Sequence, residues 1–331
     1  MKVSLFLSAQ FDTDADVNQG IDDVLAQAVA AETGGFESVL LGHHYLAQSA
    51  FLQPIPLAGY LARATETVRL GFGVLVAPLL NPVALAEELA TLDVLSRGRL
   101  TVGMGAGYRK RETAAFGVEW SDRLVRLREY VPILRSLWAG ESLDLAGSWG
   151  TVPNASLALR PAQAGGPPIW IGAFAEPAIR RAARLDCSWL IGPKGGEDEL
   201  AANLALYRET LVEHGHSLDR AYPISREAFI ADTHEQAVAG IRPHLERQYA
   251  GYKSWDDAQQ IDLDRYIEDD CLVGTAEEVA AKLQRWEEKL GLTEVALRLQ
   301  FVGAGQAEAM DQITRFGADV IPRLAANGGQ S

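Results

Sequence analysis

Cysteine is nearly absent: the 331 residues contain two, Cys187 and Cys271. They are far apart in sequence and form no C-x-x-C pair, which argues against a disulfide scaffold and a cysteine-ligated metal cluster. So few thiols fit a reducing, cytoplasmic compartment. No apolar run approaches the ~20 residues of a membrane span. The N-terminal MKVSLFLSAQFDTD carries one lysine and a short apolar run before its acids, which reads as a first strand rather than a signal peptide. Basic residues are in the minority, 30 against 44 acids, for a net charge of -14. A diffuse acidic surface disfavours nucleic acid and anionic membranes. Nucleophile elbow, P-loop, H-E-x-x-H and paired catalytic carboxylates are all missing, so covalent hydrolases and kinases find no support.

What the chain does have is a regular alternation of strand and helix. Val68 to Gly107 shows it most clearly. VRLGFGVLVAP is a short charge-poor apolar run, as in a strand covered on both faces. Asn81-Pro82 sets a cap residue before a proline in the first helical turn, and Leu85, Leu89 and Leu92 mark one apolar face. Gly98 follows where a left-handed C-cap wants glycine. Leu100 to Met104 is a second buried strand, ending among Gly103, Gly105 and Gly107. Two parallel strands joined by a helix need such a crossover.

The rest of the chain repeats the theme. Strands are expected at 2–8, 36–41, 169–171, 189–191, 223–231 and 295–301, with helices at 16–33, 54–64, 121–139, 176–185, 197–214, 233–249, from about 276 and over 306–324. Thr275 and Glu278 form a capping box. A small hairpin is expected around 142–152, residues 107–112 read as a polar loop, and 250–271 fit no regular element. Eight strands alternating with helices argue for a parallel α/β fold, and a closed barrel runs about 250 residues before insertions. The expectation is therefore one domain over residues 1–331, a (β/α)8 TIM barrel with insertions.

Active sites of such barrels lie at the C-terminal ends of the strands, which selects candidates directly. His43 and His44 follow the second strand, and an imidazole suits general acid–base work near neutral pH. Adjacent side chains diverge there and no carboxylate stands at ligand spacing, so metal binding is not expected. Gly105, Ala106 and Gly107 follow the fourth strand. No helix opens at these glycines as in a dinucleotide fold; they let a flat ring approach the backbone. Gly172, Ala173, Phe174 and Ala175 precede a helix, and Gly192, Lys194 and Gly195 lie one strand over. Free amides beside a lysine make a phosphate cradle, although Glu176 competes with an anion.

The segments FESVLLGHHY, VRLGFGVLVAPLLNPVALAEELATLDVLSRGRL, VGMGAGYRKRETAAFGV, PPIWIGA, LVGTAEEVAAKL and FGADVIPRL, in this order, resemble the bacterial luciferase-like flavin-dependent monooxygenases across nearly the whole chain. The resemblance implies an (α/β)8 barrel and reduced FMN, bound without covalent attachment at the strand ends. Its ring would pack on strands three and four, its phosphate near strands five and six. It also implies a non-proline cis peptide at Gly73-Val74, and a histidine, His43 before His44, acting on a flavin–oxygen adduct or on substrate. Three departures stand out. Gly42 replaces a frequent glutamate, so a partner orienting His43 is missing. Ala106 stands where luciferase has a phosphate-gripping arginine. LDCSW replaces ADGW, and the light reaction is not implied.

The implied function is a two-component monooxygenase: a separate reductase supplies reduced FMN, and oxygen is inserted into a small organic substrate. Tyr108 and Arg298 are candidate substrate contacts. Residues 250–271 fall where the family carries a lid, from which Tyr252, Trp255 and Tyr266 would cover substrate and keep out water. One alternative is hydride transfer with coenzyme F420, whose acidic tail would call on Arg109, Lys110, Arg111 and Lys194. A second is a non-catalytic flavin-binding barrel. The small apolar residues of helices 54–66 and 81–96 suggest the homodimer the family forms.

Overall fold

Parallel strands that alternate with helices must bury both faces, and here they do so by closing on themselves. The computed structural model describes residues 1–252 and 261–327. The barrel strands are Lys2–Leu7 (β1), Ser38–Leu41 (β2), Arg69–Phe72 (β3), Leu100–Gly105 (β4), Ile169–Ala173 (β5), Ser188–Ile191 (β6), Pro223–Ile230 (β7) and Glu294–Arg298 (β8). Neighbours pair in parallel in the order β5-β6-β7-β8-β1-β2-β3-β4. The ring closes where Ile169, Trp170 and Ile171 register with Val102, Gly103 and Met104. This is a closed eight-stranded (β/α) barrel, as the alternation predicted.

The connecting helices are Val17–Thr33 (α1), Pro54–Ala64 (α2), Pro82–Leu95 (α3), Lys110–Ala115 (α4), Arg123–Ala139 (α5), Glu176–Arg184 (α6), Glu197–Glu213 (α7), His234–Tyr252 (α8), Ala276–Leu290 (α9) and Gln306–Arg315 (α10). The Asn81 side chain accepts from the amides of Val83 and Ala84 at the start of α3, and Thr275 and Glu278 form the expected box at α9. Leu85, Leu89 and Leu92 are buried. Two short strands, Gln10–Phe11 and Ala50–Phe51, pair beyond the ends of β1 and β2, and the 142–152 hairpin spans Leu143–Gly147 and Gly150–Ala155.

Two expectations change. The long third strand is interrupted: after β3 the Gly73-Val74 peptide is cis, as the resemblance implied, and Leu75–Val76 resumes as a short strand beside Met104 and Gly105. Residues 107–112 are not all loop, because α4 begins at Lys110 and carries Glu112 in its first turn. Among the described residues no helix is long and apolar enough to cross a membrane.

Strand alternation sorts the side chains into two shells. Val3, Leu5 and Leu7, Val39 and Leu41, Val102 and Met104, and Val295 and Leu297 join the large outer core beneath the helices. Leu40, Trp170, Leu190 and Ala296, with Phe6 and Val74, form a separate inner cluster. At the N-terminal end the interior is polar: Ser4 donates to Glu294 at 2.6 Å and Ser38 to Ser4 at 2.7 Å. Toward the C-terminal end stand three glycines: Gly172 and Gly192, two residues beyond Trp170 and Leu190 of the inner cluster, and Gly105 at the end of β4.

Candidate active site

The glycines at the barrel mouth answer to specific neighbours. A Cβ on Gly105 would stand 2.6 Å from Cγ2 of Val74, and one on Gly172 would stand 3.1 Å from Val74 Cγ1. Gly103, one layer down, would meet the Phe72 carbonyl oxygen at 1.9 Å. Val74 is thus seated into the faces of β4 and β5, and it covers the glycine backbone of Gly105 and Gly172. At Gly192 the ring of Phe174, itself 69 % exposed, takes the space a side chain would fill.

The two histidines part company. His43 is 5 % exposed, and its Nδ1 accepts the Val76 amide at 3.0 Å. That acceptor role requires the proton on Nε2 in the neutral ring. Burial, with the adjacent His44 adding to it, lowers the His43 pKa to about 4, against a smaller opposing pull from Glu112 and Gln53. The family resemblance put His43 first; its buried ring is tied to the backbone of the turn after β3.

His44 is the accessible one. Its Nδ1 lies 3.2 Å from Oε1 of Glu112, and Nε2 lies 3.5 Å from the Tyr108 hydroxyl. Phe51 and Tyr108 stand edge-on to the ring at centroid distances of 5.7 and 5.8 Å. Glu112 is buried, and it also accepts from the Tyr45 amide at 2.9 Å and from Arg109 at 2.9 Å. Burial alone would raise its pKa, but the His44 hydrogen bond and charge, the Tyr45 amide and Arg109 together hold it below 4.5. Arg109 continues to the carbonyls of Tyr45 and Leu46, joining the β2 and β4 loops. Gly42 is explained in the same place: a Cβ there would press on Phe6 at 3.2 Å, with Phe51 beyond. His44 thus receives a carboxylate from α4, which nothing in the sequence singled out.

On the opposite wall, Glu176 pairs with Arg180 at 3.0 Å on the exposed face of α6, which relieves the competition expected at that helix terminus. Lys194 is exposed, with Nζ 5.6 Å above the ring of Tyr249, and Gly195 has φ +110°. Arg298 extends over Phe6 at 4.7 Å and donates to Gln248 at 3.2 Å. Gln248 in turn donates to Glu227, which also receives the Tyr266 hydroxyl. Tyr266 is 2 % exposed, so it belongs to the wall and not to a cover. Trp255 and the side chain of Tyr252 lie outside the described residues. Among those described, no group of three His, Cys, Asp or Glu could hold a metal ion.

Val74 packed on glycines, a histidine paired with a buried carboxylate and a glycine-lysine turn lie at one end of the barrel. A sequence-family model for luciferase-like monooxygenases matches residues 1–294.

The chain belongs to the luciferase-like monooxygenase family.

Within this family it is 29 % identical over 258 residues to the oxygenase component of the flavin-dependent trigonelline monooxygenase of Acinetobacter baylyi, covering 76 % of this chain and 71 % of that one. It is 26 % identical over 328 residues to an F420-dependent glucose-6-phosphate dehydrogenase of Amycolatopsis mediterranei, covering 93 % and 96 %. Among solved structures, the monooxygenase RslO1 of Streptomyces bottropensis superposes with a TM-score of 0.88 at 24 % identity, over 97 % of this chain and 99 % of that one. The luciferase-like chain is an oxidoreductase of the flavin- or F420-dependent kind. Val74, Gly105 and Gly172, with the turns after β5 and β6, are the residues that could hold such a cofactor.

Proposed function

We propose that this protein is the oxygenating component of a two-component monooxygenase, taking reduced FMN from a separate reductase and transferring one oxygen atom of O2 to a small organic substrate. The observation that carries the reading is the Glu112–His44 pair, held on the loops after β2 and β4 at the end of the barrel where Val74 packs on Gly105 and Gly172. Bound there, the reduced flavin would supply electrons to oxygen; the protein supplies a dry, oriented setting for that chemistry. Gly105, Gly107, Gly172 and the Gly73–Val74 segment would hold the ring, and Ala173–Ala175 with Gly192–Gly195 the phosphate. His44 is the acid–base residue in this scheme: Glu112 fixes the ring through Nδ1, leaving Nε2 on the Tyr108 side to take or give a proton. Tyr108 and Arg298 face the substrate. The acting protein is a cytoplasmic homodimer in this reading.

F420 would need cations for its acidic tail. Arg109, one of the four basic groups available, is engaged by Glu112 and by the carbonyls of Tyr45 and Leu46, which supports FMN. The test is an anaerobic titration with both reduced cofactors, followed by oxygen uptake in the presence of a flavin reductase. Micromolar FMN binding with His44-dependent oxygen chemistry is the expected result. Tight F420 binding with no affinity for reduced FMN overturns the assignment. Flavin binding without oxygen transfer to any tested substrate, unchanged in His44→Gln, would instead indicate a carrier barrel.

A further inference from the structure

A fully buried cation sits behind the β6 turn. Arg226 of β7 is 0 % exposed and lies on the outer side of the strand wall, its guanidinium 5.3 Å from the ring of Trp286 on α9. It donates to the Gly192 carbonyl at 2.6 Å, to Gly195 at 3.0 Å and to Ser225 at 2.9 Å. Nε has no partner. Burying a guanidinium is costly unless its hydrogen bonds accomplish something a neutral side chain could not. Two of its acceptors bracket the Gly192–Gly196 turn.

We propose that Arg226 is a positioning residue for the cofactor phosphate: by drawing the Gly192 and Gly195 carbonyls toward itself, it turns the Gly196 amide outward and sets Lys194 beside it. This rests on the flavin reading given above. The geometry follows from peptide planarity. In a trans peptide C=O and N–H point in opposite directions, so the carbonyl of Gly195 held by Arg226 sends the N–H of Gly196 away from the guanidinium. Gly195 reaches this conformation at φ +110°, where other residues are strained. Its own amide is directed to Asp270, so Gly196 provides the outward donor.

Electrostatics give the charge a second purpose. The first turn of α7 carries Glu197, Asp198 and Glu199. Glu197 is paired with Arg285 and Lys289, but Glu199 stands 3.5 Å from the Cβ position of Gly195. A helix terminus so furnished repels a phosphate. The guanidinium beneath the turn sets a positive charge against these acids, and against Asp270 and Glu227, which also face it, without occupying the space the anion needs.

The experiment compares reduced FMN with reduced riboflavin, which lacks only the phosphate, by anaerobic titration calorimetry on the full chain. Wild-type protein is expected to prefer FMN by at least about tenfold. Arg226→Lys and Arg226→Met should weaken FMN binding roughly tenfold while riboflavin binding stays within about twofold. Gly196→Pro removes the outward amide without touching Arg226; its φ of −67° suits proline, and a Cβ there meets only Asp269 at 3.8 Å. It should lower the same ratio even if the Arg226 variants do not fold. An unchanged FMN-to-riboflavin ratio in Gly196→Pro, or an equal loss of both ligands in folded Arg226→Lys, overturns the proposal. Wild-type protein that binds neither flavin defeats the flavin reading and the proposal together, whereas wild-type preference retained in the variants defeats only the role of Arg226.

Discussion

Oε1 of Glu112 lies 3.2 Å from Nδ1 of His44, 68 positions away in sequence. The carboxylate fixes the ring's tautomer and direction, and the two should behave as one unit. Glu112→Gln keeps an oxygen for the Tyr45 amide but loses the charge. It should lower kcat on the order of 100-fold, as should His44→Gln. The double variant should be little worse than either single one, since both remove the same function. Steady-state kinetics on the three proteins test this, and multiplicative losses would show independent roles. Because Glu112 titrates below 4.5, the stabilisation it gives is complete above that value and is lost as pH falls through its depressed pKa.

His43 predicts a different pH signature, in stability and not in turnover. Its pKa falls from 6.5 to about 4 in the folded protein. Between those values the unfolded chain binds more protons, so stability is full above pH 6.5 and declines as pH falls toward 4, by roughly 3 kcal/mol at most. Urea denaturation at pH 7 and pH 5 should show this decline in the wild-type protein and a smaller one in His43→Gln. Equal declines in the two proteins would remove His43 as the cause.

The Val74 seat can be tested by complementary substitution. Gly105→Ala places a methyl 2.6 Å from Val74 Cγ2 and should cost about 1–3 kcal/mol. Val74→Ala in the same chain should return much of that loss. Gly103→Ala meets backbone oxygen at 1.9 Å and should find no such rescue. Thermal melts of the three single variants, Gly105→Ala, Val74→Ala and Gly103→Ala, and of the two double variants decide it; additive losses at 74 and 105 contradict the geometry.

Tyr266→Phe removes the hydroxyl that Glu227 accepts inside the protein. A buried carboxylate deprived of a donor costs about 1–3 kcal/mol. The variant should melt several degrees lower, and Glu227→Gln/Tyr266→Phe should recover part of the difference. A Tyr266→Phe melt at the wild-type temperature would place the hydroxyl in solvent.

What could be read in the sequence followed local rules. Asn81 caps, Leu85 and Leu89 share a face, and Gly98 turns left-handed, each decided within a few residues. Apolar runs such as SVLL marked the strands. The βαβ rhythm then placed His44, Gly105 and Gly192 at one end. What escaped depended on contacts between remote positions. Glu112 stood among charged residues that resembled a solvated loop; only α4 brings it under His44. Arg226 occupied an alternating strand position that gave no hint of the Gly192 carbonyl behind it. Sequence could not tell which of the two histidines turns toward the backbone of Val76; His43 does. Tyr266 looked like an aromatic of a polar insertion, and its burial depends on Glu227 of another strand.

Arg109 grips the carbonyls of Tyr45 and Leu46 from the far side of Glu112. The segments after the second and fourth strands are therefore fastened together, and whatever evolves in one is constrained by the other. An engineer who transplants the GAGYRKRE turn from this barrel into a cousin should carry residues 42–46 along with it. A graft of either piece alone would arrive with its guanidinium facing carbonyls that were shaped for someone else.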